Sequence, residues 1–453
     1  MRTLMLLAWL ALSAVGAERA TLTGKVMDPA GKAVEQATVL VWHAGPKAGY
    51  STFCPSCYAD CGKRATTDAS GGFRIESLDP DLWFELLVVR DGYTPAFVKK
   101  VDPLKGAAPA AVLSVRVPVD DPSRVLRGLV VDGHGRALRH AAVQPLGIQA
   151  SRDGKPMSRY GTIQGLDPVA VTNDKGEFEL AHTEPVERML LLVEARGMAP
   201  KLAPLPTGAE RQTITVTDGA AIRGRLVQDG KPVAGAEIGL VGRQRGYGAN
   251  LKIIGDPYEE MRVGTQADGT FAITNVPAPG EWYLYAKMDS VAKRGAAQAT
   301  DVATKKDLEE IDVGEIPLKA GHRLRGKVVL NDGQTLPSGM RAFITPACRN
   351  CMPEYGSFSI QDSQTVTLGA DGSFEFLGLA SGPYELTVSV KGYALVDAPV
   401  PLTPLVDDPK MDAATKQRIE EFTRKSLANF NTIELRVEKD VGGMVIAMAP
   451  AKK

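Results

Sequence analysis

The sequence predicts an all-β chain of four tandem β-sandwiches, and three observations carry that prediction. A Gly-led apolar segment recurs four times along the chain. A turn of the form Asp-Gly-Phe follows each one at a nearly fixed distance. An apolar strand ending in Gly-Tyr or Gly-Met closes three of the four copies. Self-similarity at a fixed period marks a repeated structural unit.

The opening segments are Thr23-Gly24-Lys25-Val26, Arg127-Gly128-Leu129-Val130, Arg223-Gly224-Arg225-Leu226 and Arg325-Gly326-Lys327-Val328, with glycines 104, 96 and 102 residues apart. A turn and an alternating run come next. In the first copy these are Pro29-Ala30-Gly31-Lys32 and Ala37–Trp42, and in the third Asp229-Gly230-Lys231-Pro232 and Ala236–Val241. Alternation with β-branched and aromatic enrichment suits half-buried strands. The second marker reads Asp68–Phe73, Asp174–Phe178, Asp268–Phe271 and Asp371–Phe374, and its Phe lies 49, 50, 47 and 48 residues after the glycine of its own copy. Gly in these turns supplies positive φ, the Asp is expected to cap its own turn, and the Phe is expected in the core. The third marker is Phe84–Tyr93, Met189–Met198 and Tyr384–Tyr393. The third copy instead carries Trp282–Ala286 and then departs from the pattern. Helical periodicity is confined to Asp412–Asn429, with Ile419, Phe422 and Leu427 toward one side, and to a shorter turn at Thr304–Ile311. Both read as insertions that cover an edge or end of a sandwich.

These motifs together resemble the carboxypeptidase regulatory-like domain. The shared pattern is Gly-x-Val-x-Asp, then Thr-x-Asp-x-x-Gly-x-Phe, then a strand ending in Gly-Tyr. Copy one carries it at Gly24–Val41, Thr67–Phe73 and Leu86–Tyr93, and copy four at Gly326–Val329, Gly369–Phe374 and Leu386–Tyr393. The resemblance implies a seven-stranded, Greek-key, transthyretin-like sandwich in each copy. The expected limits are 18–120, 121–217, 218–319 and 320–453, with a minor helical insertion near 410–429. It also implies an accessory module with no catalytic residues of its own, found in secreted and envelope proteins.

The N-terminus reads as an export signal. Arg2 precedes the apolar run Leu4–Leu12 and small residues through Ala17, which predicts cleavage between Ala17 and Glu18. The 12 residues from Leu4 to Val15 are short of the roughly 20 that span a bilayer. The first cysteine is Cys54, which argues against a bacterial lipid anchor. No later stretch reads as a transmembrane helix, so the mature chain is expected to be soluble and exported, in the periplasm, on the cell surface or secreted. With 53 Lys+Arg against 53 Asp+Glu, the chain has no cationic surplus for nucleic acid.

Catalytic signatures are absent. The five histidines, His43, His134, His140, His182 and His322, include no His-x-x-Glu pair, so the zinc peptidase partner of the regulatory module is missing. There is no Gly-x-Ser-x-Gly elbow, no phosphate loop and no complete EF-hand. The expectation is no enzyme, no cofactor and no metal.

Two groups of residues remain as site candidates. Cys54, Cys57 and Cys61 lie in one loop of copy one, and Cys348 and Cys351 in a loop of copy four. Disulfides fit an exported setting best, with one thiol left over from an odd count. A zinc site of Cys-x-x-Cys spacing and a redox Cys-x-x-Cys are the alternatives. Tyr50, Tyr58, Tyr247, Tyr258 and Tyr355 lie in the long segments between the second strand and the Asp-Gly-Phe hairpin. They are candidates for stacking on sugars, against a plain reading as packed loop residues. Arg243–Lys252 reads as a solvated loop. The chain is therefore expected to be a non-enzymatic exported binding or scaffold protein, presenting loops to an envelope or extracellular protein or polysaccharide. A carbohydrate-binding protein and a thiol- or metal-dependent protein are the alternatives.

Overall fold

The computed structural model describes residues 18–52, 54–152, 155–242, 261–346, 362–396 and 412–451. The chain divides into two compact units, Met1–Ala48 with Pro55–Pro118, and Gly49–Cys54 with Val119–Lys453. Strands arranged as β-sandwiches are nearly all of the regular structure among the described residues of both.

The first unit holds one sandwich. Strand Ala20–Met27 lies between Gly72–Leu78 and the short Ala111–Val112 in one sheet. The other sheet runs Arg64–Thr66, Thr38–Pro46, Leu82–Val89, Ala96–Val101. Leu22, Val26, Val39, Val41, Phe84 and Leu86 fill the space between them.

The second unit repeats this plan three times. Strands Val125–Val131, Ala220–Gln228 and His322–Leu330 each begin a sandwich. Each pairs antiparallel with the strand carrying the marker Phe and parallel with a late strand: Gln212–Thr215, Glu310–Pro317 or Val441–Pro450. Each of the three has its own core. Among the described residues the first sandwich has seven strands and each of the others eight.

Two of the sequence markers turn out to be one contact. Gly24, Gly128, Gly224 and Gly326 stand directly opposite Phe73, Phe178, Phe271 and Phe374 across the antiparallel ladder. A Cβ on Gly24, Gly128 or Gly326 would sit 2.2–2.4 Å from the ring, and one on Gly224 2.8 Å away. The ring lies over the glycine, which buries the Phe and excludes any side chain there. The turn glycines repeat as well. Gly71, Gly176, Gly269 and Gly372 all have positive φ. Their carbonyls accept from the N–H of Val26, Val130, Leu226 and Val328 at 2.8–2.9 Å.

The capping Asp behaves as expected in three copies. Asp68, Asp268 and Asp371 accept from the N–H of Ser70, Thr270 and Ser373. In the second copy the cap is Asn173, which accepts from the N–H of Lys175 and Glu177, and not Asp174. Asn173 sits five residues before Phe178, as Asp68 does before Phe73, whereas Asp268 and Asp371 sit three residues before their Phe.

The helix Ala413–Asn429 forms and packs against strands Thr432–Val437 and Tyr393–Leu395, with Leu427 buried. The expected helical turn at Thr304–Ile311 does not form. Strands Thr300–Thr304 and Glu310–Pro317 occupy its ends. Thr304 is buried because its hydroxyl accepts from the Trp282 indole at 3.1 Å and donates to the Pro277 carbonyl at 2.8 Å. The Glu309 carboxylate then accepts from the Lys305 N–H at 2.6 Å and closes a tight turn.

The third copy departs from the pattern for a structural reason. Where the others continue into Gly-aromatic or Gly-Met, Lys287 leads into a short helix, Met288–Val291. The Met288 side chain belongs to the core of the fourth sandwich. Its N–H donates to the Asp362 carboxylate at 2.9 Å, and the Lys287 ammonium lies 3.5 Å from that carboxylate and 5.6 Å from the centre of the Tyr285 ring. Lys287 and Asp362 are both buried. A buried charge facing a buried countercharge marks a fixed junction, because separating them strands one charge in a low dielectric.

Candidate functional site

The first-copy loop, between strands Thr38–Pro46 and Arg64–Thr66, is a built structure. Cys54 and Cys57 are joined in a disulfide. Cys61 stands outside that bond, 2% exposed, and its thiol donates to the Pro55 carbonyl at 3.3 Å. The Ala44 N–H donates to the same carbonyl at 2.9 Å, tying the loop to its strand. So short a disulfide ring orders this turn more than it stabilises the sandwich.

Next to Cys61, the Asp60 carboxylate is 2% exposed. It is matched by the Arg19 guanidinium at 2.5 Å and the Lys63 ammonium at 2.7 Å, and it accepts from the Asp79 N–H at 2.8 Å. Arg19 and Lys63 both also donate to the Ser77 carbonyl. This charged knot pins the base of the loop. No motif announces it in the sequence, because its members come from three separate segments.

The two described tyrosine candidates part company. Tyr58 packs against the core of the first sandwich. Tyr50 is 39% exposed. Gly49–Cys54 clusters with the second unit, where the Gly264 N–H donates to the Ser51 carbonyl at 2.6 Å. Partial burial, then the charges of Glu237 and Asp289, raise the Tyr50 phenol above its ordinary pKa. Tyr247, Tyr258, Tyr355, Cys348, Cys351, the export signal and Arg243–Lys252 lie outside the described residues.

In the second copy the long connection contains a β-hairpin. Ala142–Arg152 pairs with Lys155–Tyr160, and the Tyr160 ring lies against Gly147. The same long segment thus takes a disulfide-closed turn in one copy and an extra strand pair in another, on one framework.

A second repeated polar feature had only a trace in the sequence, a Thr six residues before the marker Phe in three copies. Thr67, Thr172 and Thr265 are buried. Their hydroxyls accept from the N–H of Ala37, Ala141 and Ala236 at 2.8–2.9 Å. They donate to the carbonyls of Val34, Leu138 and Val233 at 2.6–2.7 Å. Each clasp holds the second strand to the turn before it. In the fourth copy Leu368 takes this place.

The histidines are dispersed. His43 lies 3.1 Å from Glu85, and His322 Nε2 lies 2.9 Å from the Ser381 hydroxyl. His182 is buried, with Nδ1 accepting from the Glu184 N–H at 2.9 Å. Among the described residues no three His, Cys, Asp or Glu side chains gather as metal ligands. Nor is any helix among them long and apolar enough to cross a membrane.

The architecture defines a tandem β-sandwich protein. No family model and no curated protein matches the chain. Solved structures similar to it include a streptococcal ancillary pilin, 14% identical over 73% of this chain and all of that one, with a TM-score of 0.22. The minor pilin of Streptococcus agalactiae is 14% identical over 52% of this chain and 98% of its own, at 0.24. The Bacillus anthracis TIE protein is 11% identical over 92% of this chain and 68% of its own, at 0.18.

Proposed function

We propose that this chain is an exported, non-enzymatic scaffold that presents its long loops to a protein or polysaccharide partner outside the cytoplasm. In this reading its modules span 18–120, 121–217, 218–319 and 320–453. The observation that supports it is the split between constant and variable parts. The Gly–Phe contact and the turn glycine recur in all four copies. The long connection after the second strand differs between them, as a disulfide turn in the first and a hairpin in the second. Recognition commonly sits on such loops, held by a rigid frame. The leader-like run through Ala17 supports export, and the Cys54–Cys57 disulfide agrees with an oxidising compartment. The same disulfide weighs against thiolate metal chemistry at Cys54, Cys57 and Cys61, since it engages two of the three sulfurs.

The test is crosslinking of the tagged chain in cells, followed by pull-down and mass spectrometry. The expected result is a partner protein crosslinked through residues 47–63 or 147–160, or retention on cell-wall polysaccharide. Recovery of neither a partner nor retained polysaccharide overturns the reading.

A further inference from the structure

A cleft of about 410 Å³ opens between the third and fourth sandwiches. That volume suits a small ligand. Lys319 and Ala320 of the connecting segment line it, with His322 at the start of strand His322–Leu330. Gln298 and Thr300 of the third sandwich and Ser381 of the fourth line it as well. The cleft is held in shape from several sides. Ala296 and Lys319 exchange two backbone hydrogen bonds of 2.9 Å. His322 is fixed opposite Leu379 in the sheet. The buried Tyr384 hydroxyl donates to the Ala380 carbonyl at 2.9 Å, which sets the turn that carries Ser381. His322 Nε2 and the Ser381 hydroxyl meet at 2.9 Å.

The polar groups in this cleft point to one kind of guest. Glu315 at the rim is paired with Arg225 at 3.0 Å. Lys319 has no ion pair among the described residues, so the cleft offers one open positive charge. Around it stand two hydroxyls, an amide and an imidazole. Ala296, Ala299, Pro317 and Ala320 add small apolar surface. This set matches a ligand with one carboxylate and several hydroxyls. An acidic peptide side chain would use Lys319 and leave Gln298 and Thr300 unused, which costs affinity once they are desolvated.

We propose that the cleft between the third and fourth sandwiches binds an acidic sugar, a uronic acid residue of a polysaccharide. Lys319 takes the carboxylate, and Gln298, Thr300, Ser381 and His322 take the ring hydroxyls. The inference rests on the polysaccharide arm of the proposed function. Its test uses purified sugars, so its failure leaves the protein-partner arm standing.

The test is calorimetric titration of the mature chain with trigalacturonic acid and with neutral maltotriose, alongside amide chemical shifts. The acid is expected to bind and the neutral sugar not. Lys319→Ala weakens binding about tenfold, as expected for one charge-assisted contact. Lys293→Ala, which lies outside the cleft lining, leaves binding unchanged. The amides of Gln298, Thr300 and Ser381 shift on binding. No heat with trigalacturonic acid overturns the proposal. So does equal binding by Lys319→Ala, or a glutamate-rich peptide moving these amides when the sugar does not.

Discussion

The second and fourth sandwiches share one plan and differ in what lies outside it. Strand Arg188–Glu194 of the second is apolar at five consecutive positions, and all five are buried. Met189, Leu191 and Val193 face the core. Leu190 and Leu192, on the other face, are buried too, as are Ala142 and Leu202 on neighbouring strands. Strand Gly382–Ser389 of the fourth alternates, with Tyr384, Leu386 and Val388 in the core. Its other face carries Thr387, bonded to the Thr432 hydroxyl at 2.8 Å, and Glu385, opposite Glu434. One sheet is covered on both faces. The other has polar residues on its outer face, with Thr432 and Glu434 buried there. The lesson is that the repeat specifies the sandwich interior, while each copy's outer sheet face is set by its own surroundings.

The largest test of this contrast places a charge on each outer face. Leu190→Glu is expected to cost at least about 3 kcal/mol, since it buries an unpaired carboxylate. Ser389→Glu, exposed on the polar face and opposite Arg341, is expected to cost about 1 kcal/mol or less. Thermal unfolding of the two variants measures the difference, and equal losses would break the comparison.

The next test asks whether the interiors are equivalent. Gly128→Val and Gly326→Val both force a side chain into the facing Phe ring. Each is expected to cost about 3 kcal/mol, at the upper end of overpacking. A much smaller loss in one copy, read by urea unfolding, would show that its Phe can move aside.

The clasp gives a smaller contrast. Thr172→Val strips partners from the Ala141 N–H and the Leu138 carbonyl, at about 2 kcal/mol. Leu368→Val in the fourth copy removes one buried methylene, at about 1 kcal/mol. Amide exchange at Ala141 is expected to rise sharply in the first variant alone.

The smallest effect concerns acid. The Ser373 hydroxyl and N–H hold the Asp371 carboxyl below the ordinary carboxylate range. A lowered folded pKa contributes stability above the unfolded value of 3.8. That contribution is lost as pH falls from there through the folded value. The fourth-copy turn should therefore loosen below about pH 4. In the Asn173 turn the cap itself does not titrate, so its bonds to the Lys175 and Glu177 N–H groups should persist, although the Glu177 carboxylate, which Asn173 holds below its ordinary range, also protonates there. Exchange rates of the Ser373 and Glu177 amides between pH 2 and 5 distinguish them.

Much of the fold was legible because its markers are backbone requirements. A glycine under a ring and a glycine at positive φ admit almost no substitute, so they recur in every copy. Even the two-faced burial of the second sandwich is written in the run Met189–Val193, against the alternation of Tyr384–Ser389. The charged knot of Arg19, Asp60, Lys63 and Asp79 was not legible, because its members meet only after folding. The same is true of the cleft at Lys319, His322 and Ser381. The helical turn misread at Thr304–Ile311 shows a tertiary demand, the Trp282 indole, overriding local propensity. The break in the third copy's pattern after Ala286 was visible in sequence, but its meaning needed the neighbouring core.

That break bears on how such a chain can be rearranged by gene duplication. Met288 fills a place in the fourth sandwich from within the third. A copy of the fourth cut out at its own boundary would leave that place vacant and the Asp362 carboxylate without its lysine. A third copy transplanted alone would carry an apolar plug with nowhere to go. The smallest segment that can be moved intact is therefore the pair. The apparent seam near residue 320 is a poor point for recombination, and fusions or shuffled variants of this protein should be joined elsewhere.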